Sequence, residues 1–394
     1  MRFPEFKGEW NDYRLRDLCT FHSGGTPSID NVEYWEGEIP FVSAVAMHNT
    51  HIEKTPLTLT EKGLRNGSKQ LEAGNLLLLV RGSMLWNKIP ICYNDVDVAF
   101  NQDVKGIVPN SKTTSLFLLN WIQSHENRIK YMVTGTGIGA GKLDSEDLLA
   151  LNVKLPSLNE QKKIEKFLSL IDERIETQIR IINKLQSLMK GLNDYLQDSV
   201  PLSYSLSFSD IGEDYSGLSG KSAEDFRSGK PYITYVSIYA NNFVEDDCCG
   251  KVSVERGEKQ NVVQKGDMLF TLSSETPEEV CYGAVYSGNS TETYLNSFCL
   301  GVRNTEEKVF SPYMAYFFNS SRFRREVYPL AQGSTRFNLQ KSDFLQKQFS
   351  YPSIENQHRI FEILNAYDNK IKVENKILAH YQLQKDFLLR NLFI

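Results

Sequence analysis

The clearest pattern of apolar and polar positions lies in two long segments, residues 156–196 and 352–392. In both segments apolar side chains recur at alternating steps of four and three residues, and the second segment repeats the first 196 residues later. A seven-residue repeat held over about five heptads predicts a coiled-coil helix rather than an ordinary surface helix. The positions predicted to pair the helices are Ile164, Leu168, Ile171, Ile175, Ile182, Leu185, Ile360, Leu364, Ile371 and Leu378.

Each segment also carries a signal for the start of a helix. Pro156 and Pro352 end a strand-like run, and Ser157 and Ser353 then occupy the N-cap position. In the first copy Glu160 follows at the position of a capping-box partner. We therefore expect two long helices that begin at the same place in each copy.

Polar residues interrupt the apolar pattern at a few positions. Gln178 and Glu374 are equivalent in the two copies, and Lys385 is a further break in the second. A polar side chain at such a position commonly fixes the register and the choice of partner helix. The alternative is a polar residue tolerated near solvent, and we keep both interpretations.

The two remaining blocks, residues 1–155 and 199–351, alternate short strand-like runs with turns. In the first block, residues 39–46 predict a strand, residues 71–81 a turn and a buried strand, and residues 113–133 a helix. The second block repeats this order at an offset of 192 to 196 residues. Residues 232–237 correspond to residues 40–43, and residues 333–339 correspond to a glycine-rich loop at residues 135–142.

The chain is therefore predicted to be an α+β protein that arose by tandem duplication. Its expected domains are residues 1–155, a long helix at 156–198, a second α/β domain at 199–351, and a second long helix at 352–394. The two helices are expected to pack as an antiparallel coiled coil about a pseudo-twofold axis. Two similar heads held at a fixed separation suit a partner with a repeating axis, and duplex DNA is the obvious candidate.

Composition narrows the class of protein. The formal net charge is −5. No run approaches 18 uncharged apolar residues, and the N-terminal residues lack the apolar core of a signal peptide, so we expect a cytoplasmic protein with no membrane segment. The six cysteines form no C-x-x-C pair and are predicted to be reduced and mostly buried. His48 and His51 lack further ligands, and no metal site is predicted.

No catalytic motif is present in a convincing form. The glycine-rich loop ends in Gly141 and Lys142, but its spacing departs from that of a phosphate-binding loop and Leu143 follows where Ser or Thr is required. No nucleotide-binding fingerprint or G-x-S-x-G sequence appears. The chain is therefore predicted not to be an enzyme.

Several features together resemble one family over essentially the whole chain. They are the P-S-L-N-E-Q-K-K-I entry to the first long helix and its counterpart in the second, the G-[DN]-[LM]-L strand and the G-[ST]-x loop of each block, and the opening MRFPEFKGEWNDYRLRDL. This arrangement resembles the specificity (S) subunit of type I restriction–modification systems. The second helix entry departs from the first at Asn356, His358 and Arg359.

The resemblance implies a division of labour. Two target-recognition domains each read one half of a bipartite, asymmetric site in double-stranded DNA, and the helices set the gap between the half-sites. The family's S subunit is not catalytic. It binds two methyltransferase (M) subunits and, through them, restriction/translocase (R) subunits. No cofactor is then expected in this chain, and S-adenosylmethionine, ATP and Mg are expected in the partner subunits.

Charge limits how the chain alone binds DNA. Residues 1–155 hold 16 Lys and Arg against 18 Asp and Glu, and residues 199–351 hold 15 against 19. DNA-binding proteins usually show a basic surface. We therefore expect weak binding by the isolated chain, with methyltransferase partners supplying much of the phosphate neutralisation.

The chemistry of the side chains indicates which residues would contact DNA. Arg suits guanine, Asn suits adenine, and Ser or Thr suits either base. Basic residues also flank the glycine-rich loop in both blocks, although a solvated helix face is an alternative explanation. In the first domain the candidates are Ser43, Arg81, Ser83, Lys88, Arg128, Lys130, Thr136 and Lys142. In the second they are Ser237, Asn241, Ser273, Ser274, Arg322, Arg324, Arg325, Arg336 and Asn338.

The alternative function is a non-catalytic, protein-binding coiled-coil scaffold. It would require apolar or aromatic patches on the heads rather than hydrogen-bonding loops flanked by Arg and Lys. The sequence favours the DNA-specificity subunit.

Overall fold

The computed structural model of the chain describes residues 2–137 and 139–393. The chain divides into two compact units, one formed by Met1–Ile179 with Ile377–Ile394 and the other by Arg180–Lys376. Each unit contains one run of strands and short helices, which we call a head, and part of each long helix. The first head spans residues 11–155 and the second head residues 202–352.

The first head consists of fourteen strands and four short helices among the described residues. Its strands are β1 (Asn11–Arg14), β2 (Cys19–Ser23), β3 (Trp35–Val42), β4 (His51–Ile52), β5 (Leu57–Leu59), β6 (Lys69–Leu71), β7 (Leu76–Leu79), β8 (Arg81–Gly82), β9 (Ile91–Asn94), β10 (Val98–Phe100), β11 (Val104–Pro109), β12 (Thr134–Gly135), β13 (Gly141–Lys142) and β14 (Asn152–Leu155). Its helices are α1 (Glu61–Arg65), α2 (Ser115–Ser124), α3 (Glu126–Lys130) and α4 (Ser145–Leu149), and the long helix α5 (Leu158–Ser199) follows.

The second head also has fourteen strands. They are β15 (Leu202–Leu206), β16 (Gly212–Ser216), β17 (Phe226–Ile233), β18 (Phe243–Val244), β19 (Cys249–Val252), β20 (Val262–Val263), β21 (Met268–Thr271), β22 (Ser273–Ser274), β23 (Gly283–Tyr286), β24 (Thr293–Leu295), β25 (Cys299–Asn304), β26 (Ala331–Gln332), β27 (Phe337–Leu339) and β28 (Phe349–Pro352). Its helices are α6 (Phe208–Ile211), α7 (Tyr235–Ala240), α8 (Ser311–Phe317), α9 (Ser321–Val327) and α10 (Lys341–Gln346), and the long helix α11 (Ile354–Leu392) follows.

The two heads share one sheet topology. The five-stranded sheet has the order β2-β11-β7-β9-β4 in the first head and β16-β25-β21-β23-β18 in the second. The four-stranded sheets are β5-β3-β10-β6 and β19-β17-β24-β20, and the three-stranded sheets are β12-β13-β8 and β26-β27-β22. The pairs β1-β14 and β15-β28 close each head. This strand-by-strand match confirms the repeat predicted from the sequence.

The central strand of each five-stranded sheet depends on a glycine turn. Gly74 and Gly266 have φ angles of +86° and +91°, a region that side chains with a Cβ rarely adopt. All residues of β7 and β21, which follow these turns, are buried. The predicted turn and buried strand at residues 71–81 are therefore confirmed.

Both long helices form, within two residues of their predicted starts. Ser157 Oγ accepts a hydrogen bond from the backbone N–H of Glu160, and Ser353 Oγ accepts one from that of Asn356, each at 3.4 Å. The predicted N-caps are therefore confirmed. The capping-box role of Glu160 is wrong, because its carboxylate instead accepts hydrogen bonds from Arg2 at 2.7 and 2.8 Å and from Trp10 Nε1 at 3.3 Å.

Each unit pairs opposite ends of the two helices, as predicted for an antiparallel arrangement. In the first unit the early part of α5 meets the late part of α11, where Lys385 Nζ donates to Asp172 at 2.6 Å. In the second unit Ile360 and Leu364 of early α11 and Leu192 of late α5 belong to one apolar cluster.

The predicted pairing positions also pack against the heads. Ile164, Leu168, Ile171, Ile182, Ile360, Leu364 and Ile371 are buried, whereas Ile175, Leu185 and Leu378 are half-buried. Ile164, Leu168 and Ile171 join the main apolar core of the first head, and Ile360 and Leu364 join that of the second. The apolar stripe therefore fastens each helix to a head as well as to the other helix.

A buried glutamine locks the start of each helix to its head. Gln161 Oε1 accepts from Thr114 N at 3.2 Å, and its Nε2 donates to the carbonyls of Lys112 and Pro156 at 3.0 and 2.9 Å. The equivalent Gln357 makes the same three bonds. Both side chains are fully buried. In each unit, three backbone groups thus depend on one amide side chain.

The other contacts between helix ends and heads differ chemically at equivalent places. In the first unit the ring centroids of Phe117 and Phe393 lie 5.2 Å apart. In the second unit the equivalent pair is Tyr313 and Gln197, joined by a 2.6 Å hydrogen bond. Equivalent positions therefore hold an apolar pair in the first unit and a polar pair in the second.

Three sequence expectations need correction. The strand predicted at residues 39–46 ends at Val42, and a short 3-10 turn, Ala44–Ala46, follows. The helix predicted at residues 113–133 breaks at His125 into α2 and α3. In the first head Val42 pairs with Phe100, and at the same place in the second head Ile233 pairs with Leu295, so Val42 corresponds to Ile233. The local offset is therefore 191 rather than 192 to 196 residues.

The expectation for the cysteines is met. All six cysteines are unpaired, and Cys19, Cys92, Cys281 and Cys299 are buried. Burial raises the pKa of Cys19 and Cys299 to about 12, so these thiols are protonated at neutral pH. Within the described ranges, none of the helices combines the length and apolar character required to cross a bilayer.

Replacing Gln161 or Gln357 by Met should destabilise the fold. Methionine keeps the side-chain length but leaves a backbone N–H and two carbonyls without this partner. The expected cost is roughly 1–3 kcal/mol per substitution, measured by urea denaturation. Gln384→Met is the matched control, because Gln384 is exposed on α11 and its replacement should leave the midpoint unchanged. Wild-type midpoints for both buried variants would contradict the assigned role.

Candidate nucleic-acid interface

The candidate interface lies on a small three-stranded sheet in each head, which we call the ribbon. The first ribbon consists of β8, β12 and β13, and the second of β22, β26 and β27. In each head one residue separates the buried central strand from the first ribbon strand, so the rigid core fixes the ribbon's position. A β-ribbon is one of the elements that fit into the major groove of DNA.

Two cations face each other across the first ribbon. Arg81 on β8 pairs with Lys142 on β13, and both side chains are exposed. Their nearest carboxylates are loose partners, with Asp103 at 4.0 Å from Arg81 and Asp144 at 3.7 Å from Lys142. Exposed ion pairs of this kind contribute little free energy. Both cations are therefore available to a ligand.

The hairpin of the first ribbon is fixed by local hydrogen bonds. Thr136 Oγ1 donates to the carbonyl of Ala140 at 2.9 Å, and Trp86 Nε1 donates to that of Gly139 at 3.0 Å. Trp86 ends the turn Ser83–Trp86, which begins directly after β8. The structure therefore brings four predicted residues together beside an exposed indole ring: Arg81, Ser83, Thr136 and Lys142.

The second ribbon carries neutral hydrogen-bonding groups at the same places. Ser273 on β22 pairs with Asn338 on β27. By strand position this pair corresponds to Arg81 and Lys142 of the first ribbon. Asn338 is exposed, and Arg336 lies beyond it in the hairpin, 5.9 Å from the ring of Phe298. The same pair of ribbon positions therefore carries two cationic side chains in the first head and a hydroxyl and an amide in the second.

A cavity of about 370 Å³ adjoins the second ribbon. Its lining includes Ser273, whose buried hydroxyl has no hydrogen-bond partner among the described residues. It also includes Glu279, whose carboxylate accepts from Tyr239 Oη at 2.8 Å and from Ser274 Oγ at 3.2 Å. The bond from Tyr239 lowers the pKa of the Glu279 carboxyl. The cavity thus offers an unsatisfied hydroxyl and an ionised carboxylate.

Several predicted basic residues hold the head itself together. Arg324 donates to the backbone carbonyls of Cys281, Glu278 and Val280 at 2.6–2.7 Å. Arg322 donates to the carbonyl of Ser350 at 2.9 Å and lies 3.9 Å from Glu326.

In the first head, Lys130 Nζ donates to the carbonyl of Asn87 at 2.7 Å. Arg324 and Lys130 both bind the loop that follows the first ribbon strand of their head. This shared structural role explains why basic residues recur near the glycine-rich loop in both blocks without requiring contact with DNA.

The remaining predicted residues lie apart from the ribbon strands. Ser43 is half-buried at the start of a turn, and Lys88 is exposed at the end of the loop after β8. Arg128 and Arg325 are exposed on α3 and α9.

Two predicted residues of the second head are engaged with their own backbone. Ser237 is buried and its hydroxyl donates to the carbonyl of Cys248 at 2.6 Å, while Asn241 donates to that of Ser237 at 2.8 Å. Ser237 is also not the counterpart of Ser43, because the strand register matches Ser43 with Thr234. We leave Ser237 out of the proposed contacts for both reasons.

Aromatic residues beside the ribbons were missed by the sequence reasoning. The exposed fractions of Trp86 and Phe298 are 47% and 59%, and that of Tyr239 is 39%. Large exposed rings are a usual feature of binding surfaces. Trp86 lies four residues after β8, so a search of the residues that follow the buried central strand would have found it, but Phe298 and Tyr239 reach the ribbon only through the fold.

The family model for the type I restriction modification DNA specificity domain matches residues 7–187 and 209–380. The EcoR124I/EcoR124II specificity subunit of Escherichia coli is 29% identical over 174 residues, which covers 44% of this chain and 43% of that protein. This match spans less than half of that relative. The MjaVIII specificity subunit of Methanocaldococcus jannaschii is 24% identical over 95% of this chain and 89% of its own length.

Solved structures share the fold. A type I restriction-modification S subunit from M. genitalium matches with a TM-score of 0.53 and 16% identity, over 100% of this chain and 99% of its own. A chain from a study of complex assembly and conformational transition of the type I R-M system matches with a TM-score of 0.60 and 14% identity, over 98% of both chains.

Replacing Arg324 by Ala should destabilise the second head rather than only weaken a surface contact. Three carbonyls lose a charged donor. A hydrogen bond to a charged group contributes about 1.5–3 kcal/mol net, and three bonds to one guanidinium do not add independently. We expect a loss of roughly 2–3 kcal/mol in urea denaturation. Arg325→Ala, at the exposed neighbouring position, should have almost no effect. Equal midpoints for the two variants would rule out the structural role of Arg324.

Proposed function

The chain belongs to the type I restriction modification DNA specificity family, and we propose that it serves as the DNA-specificity subunit of a type I restriction–modification complex. In this proposal each head reads one half of a bipartite DNA site. The observation that carries it is the pair of ribbons, which share one backbone arrangement and differ in side chains. Equivalent positions with different hydrogen-bonding groups would select different bases, so the two half-sites would differ.

In the first head we propose that Arg81 and Lys142 contact base edges. Both are cationic donors on adjacent ribbon strands, and Arg or Lys bound to the O6 and N7 atoms of guanine is the commonest specific contact in the major groove. Ser83, which follows β8, and Thr136, which follows β12, would add hydroxyl contacts. Lys88 and Arg128 are exposed and would bind phosphates, which position the protein without reading sequence.

In the second head we propose readout by Asn338, Ser273, Ser274 and Arg336. Asparagine suits the N6 and N7 atoms of adenine, and arginine suits guanine. The unsatisfied hydroxyl of Ser273 would gain a partner from a base edge. Glu279, which sequence reasoning did not include, could accept from the N4 amine of cytosine.

The long helices would set the gap between half-sites and bind partner subunits. Their exposed apolar side chains include Leu170, Ile181, Leu188, Leu383 and Phe387, which are 40–64% exposed. Exposed apolar surface of this kind marks protein–protein contact. We propose that two methyltransferase subunits dock there and carry restriction/translocase subunits in turn.

The proposal assigns catalysis to the partners. S-adenosylmethionine, ATP and Mg would be bound by those subunits, and this chain would act without a cofactor of its own. The charge balance fits this division, because the net charge of residues 1–155 is 16 − 18 = −2 and that of residues 199–351 is 15 − 19 = −4. Partners that close around the duplex would supply positive charge for the phosphates.

The apolar helix surface also fits a protein-binding scaffold. The two functions are separated by a genome-wide map of N6-methyladenine in the source organism with and without this gene. Loss of one split motif is expected for the specificity subunit. A methylation pattern that does not change would overturn the proposal and favour the scaffold.

Single substitutions in the ribbons should alter one half-site each. Lys142→Ala should relax the half-site read by the first head, and Asn338→Ala should relax the other, each with a loss of about 1–3 kcal/mol in discrimination. The methylation map of cells carrying each variant provides the measurement. Lys154→Ala is the control, because Lys154 is exposed on β14, outside the ribbon. A change in both half-sites from either ribbon variant would refute the assignment of one head to one half-site.

A further inference from the structure

The second unit contains a cavity of about 530 Å³ lined by α5, α11 and the second head. Asp368 of α11 and Met189 of α5 both line it, together with Tyr316 and Asn319 from the head. None of these residues belongs to the proposed DNA-contact set, so the cavity is a separate feature of the molecule.

The first unit shows what the duplicated fold places at the same position. There Asp172, the equivalent of Asp368, accepts a 2.6 Å hydrogen bond from Lys385, the equivalent of Met189. The Lys385 side chain is only 15% exposed. Asp172 and Lys385 line two separate, smaller cavities of about 360 and 280 Å³. An internal lysine thus neutralises the aspartate in the first unit, and a methionine replaces that lysine in the second.

Among the described residues, two polar groups that line this cavity have no partner in the second unit. Asp368 is half-buried and has no hydrogen-bond or ion-pair partner among the described residues. Burial raises the pKa of its carboxyl; the charge of Lys372 lowers it and that of Glu245 raises it. The hydroxyl of Tyr316, whose residue is 1% exposed, is buried and unpartnered within the same set. Buried polar groups without partners are costly and rare.

The cations near the cavity are engaged elsewhere or remain in solvent. Arg324 is bound to three backbone carbonyls, and Lys372 pairs with Glu245 at 3.0 Å. Lys190 lines the cavity but is exposed. The position that Lys385 fills in the first unit therefore has no counterpart charge in the second.

We propose that this cavity receives an arginine side chain from another polypeptide. A guanidinium group is a planar donor of five N–H bonds, which suits several convergent acceptors. The acceptors here are the Asp368 carboxylate, the Tyr316 hydroxyl and the Asn319 amide oxygen; the Asn319 nitrogen already donates to Asn242 and to the carbonyl of Ala315.

A polypeptide is the favoured source because Met189 and Ile371 line the cavity and exposed apolar residues adjoin its lining residues in the sequence. Leu188 precedes Met189 and is 54% exposed, and Tyr367 precedes Asp368 and is 38% exposed. An arginine surrounded by apolar contacts is typical of the centre of a protein–protein interface. The inference rests on the partner-binding role proposed for the long helices, but its test uses the chain alone.

The probe is N-acetyl-L-arginine methylamide, which presents arginine as a polypeptide does. It would be titrated into the full-length chain labelled with ¹³C at aspartate carboxylates, and the Asp368 resonance would be identified by its loss in Asp368→Asn. We expect a saturable shift of that resonance and no comparable shift from the lysine analogue. Asp198→Asn, at an exposed position of α5, is the control variant and should bind as the wild type does.

The outcomes separate the sources of the cation. Tighter binding of free L-arginine would overturn the assignment to a polypeptide, and equal binding of the lysine analogue would overturn the assignment to arginine. An Asp368 signal that does not respond in a saturable way would overturn the site itself. Any of these results would leave the methylation map, and with it the proposed function, unaffected.

A second variant tests the comparison between the units. Met189→Lys restores the lysine found in the first unit and should block the arginine probe. It should also raise the midpoint of thermal unfolding by about 2–4 °C, and this gain should vanish in the Asp368→Asn background. Undiminished probe binding by Met189→Lys would contradict the proposal. If this variant does not fold, Asp368→Asn decides the matter by isothermal titration calorimetry, in which it should lose the heat of probe binding seen for the wild type while retaining the fold.

Discussion

The structure of each unit depends on the buried glutamine at the start of its long helix. Gln161 and Gln357 each satisfy one backbone N–H and two carbonyls. These groups lie where the loop before α2 or α8 meets the first turn of α5 or α11. An apolar side chain would leave all three without their partner inside the protein, where such groups cost most. The direction in which each helix leaves its head is therefore set by hydrogen bonds with a strict geometry, and the apolar stripe adds stability along that direction.

Beyond this shared contact, the two interfaces between helices and heads have diverged in matched pairs. Phe117 and Phe393 in one unit correspond to Tyr313 and Gln197 in the other. In a second example, Thr114 donates to Glu165 in the first unit, and the rings of Phe310 and Phe361 stand 5.3 Å apart in the second. Both members of each pair change together, because a polar group facing an apolar partner would be buried without a hydrogen bond. The end of each helix is therefore complementary to one head only. This complementarity is a physical basis for one fixed arrangement of the two heads and the two long helices.

The order of the heads and long helices along the chain could be predicted from the sequence, because strong local sequence patterns determine it. A heptad pattern over five repeats, Pro and Ser at both helix starts, and glycine turns before buried strands are decided by neighbouring residues. The errors arose where distant parts of the chain compete for a side chain. Glu160 has the spacing of a capping box but lies beside Arg2 and Trp10. Ser43 and Ser237 align by residue type, whereas strand pairing matches Ser43 with Thr234. Arg324, a predicted DNA contact, donates to three backbone carbonyls that the sequence does not reveal.

The same competition explains why the ribbons carry the candidate specificity. The first strand of each ribbon follows the buried central strand after one residue, so its backbone has little freedom, yet the ribbon side chains have few partners within the protein. Arg81 and Lys142 have only loose ion pairs at 4.0 and 3.7 Å, and Asn338 is exposed. Substitutions at such positions cost the fold almost nothing, unlike substitutions at Gln161 or Arg324. A duplicated protein can therefore change what each head recognises while keeping the helix contacts that hold the head in place. Positions whose side chains form hydrogen bonds within the protein are fixed, and positions whose side chains lack such partners are free to vary.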